Sequence, residues 1–301
     1  MTGVQTCALP IFVDYAADRG ITIIPGFHWG WGKEGLDISK PADRTRIATD
    51  AAEMFKRDYA GRGFRSIYFQ TLTEHTTREI NGETVAALAA KLVNEAAVEI
   101  WKIQPNIEIQ FGLHALSIGD RYNDLKTLDD RIVIVWEDAG NLPFAYDPTA
   151  LPAASWLKDI SGVDATLEYA KSLASFRPGT PFAMVPKGWT KLSWSNEFEN
   201  HGQFILGERS AEFIRRRRDL IQSRWDYVDR HWFEYYPLAV KFYSEILNIS
   251  KSGILAAGLV EDGVIEAGVP SSVALFAEMI WNPKREPGDI LRNAMSSFYR
   301  G

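Results

Sequence analysis

Carboxylate, imidazole and indole side chains recur in this chain at the ends of short apolar runs, where they could move protons and offer flat faces for stacking. Glu74 follows the run Ser66–Phe69 and stands beside His75, and Glu137 and Asp138 follow Ile132–Val135 and Trp136. His28 closes Ile21–Phe27 with Trp29 and Trp31 behind it, and His114 closes Ile107–Leu113. Lys187 and Trp189 follow Phe182–Val185, and Glu261 and Asp262 follow Gly253–Val260. Hydrolysis of a glycosidic bond calls for one protonated carboxyl group at the leaving oxygen and a second carboxylate that attacks or stabilises the anomeric carbon. Glu74 fits the first role and Glu137 the second. Adjacent strand residues point to opposite sides, so only one of Glu137 and Asp138 can face a common pocket if the strand continues that far. His28 could tune the acid or relay its proton, although a histidine at a strand end also serves as a structural donor, and His114 shares that ambiguity.

These runs are rich in β-branched and aromatic residues, as strands are, and helical patterns separate them. Asp43–Arg57 carries Ile47, Ala51, Met54 and Phe55 at helical spacing behind Pro41, and Thr84–Ile103 carries Val85, Leu88, Leu92, Ala96 and Ile100. Asp164–Leu173 reads as a further helix, and Ala211–Asn248 is long enough for two. The alternation predicts an α/β fold with a parallel sheet and right-handed crossovers. Polar groups at the C-terminal ends of successive strands are how a (β/α) barrel assembles an active site. On that expectation Trp29, Glu74, His114, Glu137, Lys187 and Glu261 converge at one mouth, with Glu74 roughly 5 to 10 Å from the second carboxylate.

Residues 1–11, MTGVQTCALPI, lack the charged start and long apolar run of a signal peptide and read as a translated sequencing adapter. The expectation is a scar over 1–11 and one domain over 12–301, with Cys7, the single cysteine, outside it. A cysteine-free remainder leaves no route to disulfides or zinc–thiolate sites and fixes no compartment. The formal charge of −6 and pI near 5.5 speak against a nucleic-acid surface. The one basic run, Arg215–Arg218, reads as a solvated helix face. No membrane span is visible and no cofactor is expected. Ten tryptophans and 12% aromatic residues suit a carbohydrate partner, since sugar rings stack their C–H faces on aromatic planes. Trp29, Trp31, Trp136, Trp189 and Trp194 are candidate stacking walls, with core packing the alternative for each. Lys187 and Lys191 could meet a sugar that bears a carboxylate.

With the units in order, the chain resembles the catalytic barrel of family 20 glycoside hydrolases, the β-N-acetylhexosaminidases. The residues that carry the resemblance are Arg19–Pro25, which looks like the family's third strand, Ser66–Glu74 at the fourth, and two stretches near the end. Those are Gly253–Asp262, similar to the final strand, and Val269–Pro283 with Ala277-Glu278 ahead of Trp281. The resemblance implies an incomplete (β/α)8 barrel, about six strands of eight, truncated at its N-terminus. It also implies that Glu74 is the general acid and that Glu261, or Asp262 in its place, binds sugar hydroxyls. Thr73 stands where the family carries an aspartate that orients an N-acetyl group, and Lys187-Gly188-Trp189 replaces its Tyr-Leu-Asp. The implied activity is therefore a glycosidase with a different substrate. Two rivals remain. One is a metal-dependent barrel hydrolase using His28, His75, His114 and Asp138, since imidazole with carboxylate is a normal divalent-metal set. The other is a non-catalytic sugar-binding barrel.

Overall fold

The computed structural model describes residues 4–26, 34–71, 77–114, 118–137, 163–185, 200–202, 205–206, 210–258 and 270–299. The chain divides into two compact units, Met1–Glu137 and Asp138–Gly301. Both alternate helices with parallel strands, so the α/β class expected from the sequence holds.

In the first unit, helix α1 spans Val4–Ala17, with Val13 and Ala16 buried. Helix α2, Pro41–Asp58, begins on the proline, whose missing N–H costs nothing in a first turn. It leads into strand β1, Ser66–Thr71, through Gly61 and Gly63, both at positive φ. A two-residue antiparallel pair, β2 (Glu79–Ile80) and β3 (Glu83–Thr84), turns at Asn81 and Gly82, again both at positive φ. Helix α3, Val85–Ile103, follows with Thr84 as its cap, whose hydroxyl accepts from the Ala87 N–H at 3.2 Å. Strand β4 is Glu108–His114, a 3-10 helix covers Gly119–Thr127, and β5 is Ile132–Glu137.

The strands pair in parallel, β1 to β4 to β5, with Gln70 opposite Gly112, Gly112 opposite Val135 and His114 opposite Glu137. Side chains alternate between faces along a strand, and equivalent residues of parallel neighbours share a face. One face therefore carries Ile67, Phe69, Ile109, Phe111, Leu113, Ile132, Ile134 and Trp136, all buried. It is the apolar layer against which helices such as α3, with Leu88, Leu92, Ala96 and Ile100 fully buried, can pack. The other face carries Tyr68, Gln70, Gln110, Gly112, His114, Val133, Val135 and Glu137. Helices α2 and α3 are tied by Arg44, whose Nε donates to Glu95 at 2.9 Å and whose Nη1 donates to the Ile38 carbonyl at 2.9 Å.

The run Ile21–Phe27 does not form the strand its composition predicts over the part described. Only Gly26 bridges to Tyr68, with the Tyr68 N–H donating to the Pro25 carbonyl at 3.0 Å. Ile21 and Ile24 are 54% and 39% exposed, so no apolar layer holds the segment in a ladder, and Pro25 has no N–H to donate.

In the second unit, helix Val163–Phe176 precedes strand β6, Phe182–Val185, which pairs in parallel with the shorter strand Ile254–Ala256. Buried Ser250 locks their start: its hydroxyl accepts from the Phe182 N–H at 3.0 Å and donates to the Gly253 carbonyl at 2.7 Å. A small antiparallel pair, Asn200–Gly202 with Ile205–Leu206, stands apart from these. Ala211–Ile249, expected as two helices, is one helix of 39 residues that continues through Pro237. The apolar stripe of Trp232, Ala239, Val240, Phe242, Tyr243 and Ile246 is buried on both sides of the proline. Pro237 itself is exposed, where water can take up the carbonyl that its ring leaves unbonded. Of the basic run on this helix, Arg215, Arg216 and Arg218 are exposed, as a solvated face requires. Helices Pro270–Trp281 and Pro287–Tyr299 complete the unit, the first with its start bonded to Asp229 through Ser271 and the Ser272 N–H. No described helix is long and apolar enough to cross a membrane.

Candidate active site

The polar face of β1, β4 and β5 ends in a cluster around Glu137. Its Oε1 accepts two hydrogen bonds, from the Tyr68 hydroxyl at 2.8 Å and from the Gln70 side-chain amide at 2.6 Å. Both donors come from β1, the carboxylate from β5, and β4 lies between them. His114 ends β4 directly opposite Glu137, on the same face and one strand away, a separation of about 4.8 Å between strands. His114 and Glu137 are 7% and 6% exposed, whereas Gln70 is exposed, so the cluster meets solvent on the β1 side. Gln70, His114 and Glu137 lie in the C-terminal half of their strands, the end at which α/β enzymes bind substrate, and Tyr68 reaches Glu137 from nearer the middle of β1.

Local sequence explains the placement. In Ser66–Thr71 the residues Ile67 and Phe69 alternate with Tyr68 and Gln70, so burying the first pair puts the second on the opposite face. In Ile132–Glu137 the same alternation sends Trp136 into the apolar layer, 2% exposed, and Glu137 to the polar one. Trp136 is therefore a core residue on the apolar face, not a stacking wall beside Glu137. The pairing of His114 with Glu137 likewise places Glu137 on the face of this cluster.

Tyr68 is strongly shifted. Burial pushes its phenol well above the ordinary tyrosine range, and the negative charge of Glu137 and the hydrogen bond donated to it push in the same direction. The phenol therefore stays protonated and acts as a donor at any pH near neutral. Two donors on a single oxygen fix the plane and direction of the carboxylate, which is the geometry of a held, acceptor-only group.

Space for this arrangement depends on Gly112. A Cβ built at Gly112 would lie 1.9 Å from the Tyr68 hydroxyl oxygen and 2.2 Å from its Cζ. The phenol ring thus lies across β4 at the one position there with no side chain. The alternation of Tyr68 and Gln70 with apolar Ile67 and Phe69 was the available sequence signal for these residues. Gly112 in the middle of Phe111-Gly112-Leu113 was another.

Of the residues expected at the site, Glu137 and His114 are brought together. Glu74, His28, Trp29, Trp31, Asp138, Lys187, Trp189, Glu261 and Asp262 lie outside the described residues, as do His75, Lys191 and Trp194. Among the described residues no group of three or more His, Cys, Asp or Glu is placed to hold a metal ion. No family model matches this chain, and no curated protein matches it.

Proposed function

We propose that this chain is a glycoside hydrolase that acts on a glycan or oligosaccharide by paired-carboxylate catalysis, built on an incomplete (β/α) barrel. The observation that carries the reading is Glu137: a buried carboxylate at the C-terminal end of a parallel strand, fixed by two donors and neighboured by an imidazole. Such a group suits the second carboxylate of glycoside hydrolysis, which must meet positive charge at the anomeric carbon without taking up the proton meant for the leaving oxygen. The proton then comes from elsewhere, and Glu74, three residues beyond the end of β1, is the donor we assign. Since β1 also supplies Tyr68 and Gln70, the acid and the carboxylate's two holders would share one strand and its loop. Trp29, Trp31 and Trp189 would provide stacking faces, with His28, Asp138, Lys187, Glu261 and Asp262 binding hydroxyl or carboxylate groups of the sugar.

Glu74→Gln tests the assignment. It keeps the side-chain shape and removes the proton, so hydrolysis of natural glycosides should fall by roughly 10²- to 10⁴-fold, the worth of general acid catalysis. Glycosides with an activated phenol leaving group need little protonation and should lose far less. Equal slowing of both substrate types, or of neither, removes Glu74 from the acid role. Activity abolished by a chelator and restored by a divalent metal would instead favour metal-dependent hydrolysis. Binding without turnover across the panel would favour a sugar-binding barrel.

A further inference from the structure

We propose that Tyr68 is a positioning residue for Glu137, and that the absence of a side chain at Gly112 is what admits its ring; this rests on Glu137 being a reacting carboxylate. Strands β1 and β5 are not neighbours. With β4 between them their axes are about 10 Å apart, two strand spacings. A side chain of β1 can reach an acid on β5 only by crossing β4, and any Cβ in its path blocks the crossing. The path runs over Gly112, where the ring carbons and hydroxyl of Tyr68 lie 1.9 to 2.9 Å from the place a Cβ would occupy. Glycine is not needed there for its backbone, because the positive-φ glycines among the described residues are elsewhere. Space is the requirement.

The consequence at Glu137 is specific. Gln70 is exposed, so its amide can exchange the carboxylate for water. Tyr68 is mostly shielded, kept protonated by that burial, and its hydroxyl sits 2.8 Å from Oε1. It is therefore the donor that water replaces least well, and its loss leaves Glu137 free to rotate out of line. A hydrogen bond to a charged partner of this kind corresponds to roughly 10- to 100-fold in rate when the bond is needed to aim the group.

The test uses the whole chain with Tyr68→Phe, Gly112→Ala, Tyr68→Ala and the double variant Tyr68→Ala/Gly112→Ala. Tyr68→Phe should lower kcat roughly 10- to 100-fold on a glycoside that the wild type hydrolyses, with KM nearly unchanged. Gly112→Ala should do the same, since the added methyl group expels the ring. In the Tyr68→Ala background the Gly112→Ala change should cost nothing further, because no ring remains to be displaced. A Gly112→Ala penalty that persists without the ring, or a Tyr68→Phe variant with full kcat, overturns the proposal. A second readout needs no substrate. The hydroxyl proton of Tyr68, bonded to a carboxylate and shielded from water, should give a slowly exchanging downfield proton NMR signal. That signal should vanish in Tyr68→Phe and Gly112→Ala and move upfield in Glu137→Gln. If it is unchanged in Glu137→Gln, Tyr68 does not hold Glu137. A wild-type chain inert towards every glycoside defeats the hydrolase reading instead, and the NMR arm still decides the coupling of Tyr68 to Glu137.

Discussion

Glu137→Gln should separate activity from stability. The glutamine amide oxygen can take the place of Oε1, where it still accepts from Tyr68 and Gln70, now at 2.8 and 2.6 Å from a carboxylate oxygen. What changes is the charge. Hydrogen bonds to an ionised partner are worth about 1.5–3 kcal/mol and neutral ones about 0.5–1.5, so two of them lose about 2–3 kcal/mol together. Against this, Glu137 is only 6% exposed, and holding an ionised carboxylate away from water costs several kcal/mol that the neutral amide does not incur. The two effects are of similar size, and the net change in stability should be within about 1 kcal/mol. Glu137→Ala differs: it removes the acceptor outright and strands the Tyr68 hydroxyl, which costs about 1–3 kcal/mol, while exposed Gln70 turns to water. Urea unfolding followed by circular dichroism, with slopes compared so that midpoints can be converted to free energies, reads both changes. Hydrolysis should be lost in both variants. A Glu137→Gln variant as destabilised as Glu137→Ala, or one that hydrolyses glycosides at the wild-type rate, would show that Glu137 is not a held, reacting carboxylate.

Burial raises the Tyr243 phenol far above its ordinary range, and its hydroxyl has no hydrogen-bond partner among the described residues. Tyr243→Phe should therefore stabilise the chain by about 1 kcal/mol near neutral pH, read as a higher urea midpoint. Tyr68 and Tyr243 both titrate higher in the folded chain than in the unfolded one. The stability they contribute is complete below the unfolded value near pH 10 and is lost as the pH rises through the folded values, by up to about 1.4 kcal/mol per pH unit for each. Alkaline denaturation should accordingly begin above about pH 10, and Tyr243→Phe should flatten it; an unchanged alkaline limb would contradict the assignment. Arg44→Ala should cost about 2–3 kcal/mol, less than a fully buried pair because the Glu95 side chain is 34% exposed, and Arg44→Lys should recover only part of that in thermal unfolding.

Much of the local structure was legible in the residues. Helix Pro41–Asp58 follows from apolar spacing behind a proline, and Val85–Ile103 from its apolar stripe. The runs that became β4 and β5 announced themselves through β-branched residues, which crowd a helix but suit a strand buried on both faces. Glu137 at the end of one and His114 at the end of the other could be picked out because polar groups closing apolar runs must emerge where a strand meets solvent or a site. The sequence could also say that Trp136 and Glu137 face opposite ways, since that depends only on the two-residue period of a strand.

Which way Glu137 faces is a tertiary fact. A period of two carries no sign, and the sign came from packing: the face with Phe69, Phe111 and Trp136 was buried in the apolar layer, which left Glu137 with His114. The same decision turned Trp136 from a possible sugar platform into core. Tyr68 and Gln70 bond to Glu137 across 69 and 67 positions of chain, and no local pattern encodes a contact of that separation. Gly112 shows the limit most clearly. By itself it reads as a weak point in a strand, and it becomes a requirement only when β4 is set between β1 and β5 and a phenol from one must cross to a carboxylate on the other. Alternation, capping and turn chemistry act over a few residues and are written in the sequence. Register and the choice of buried face are set by how whole strands pack, and those choices placed the chemistry.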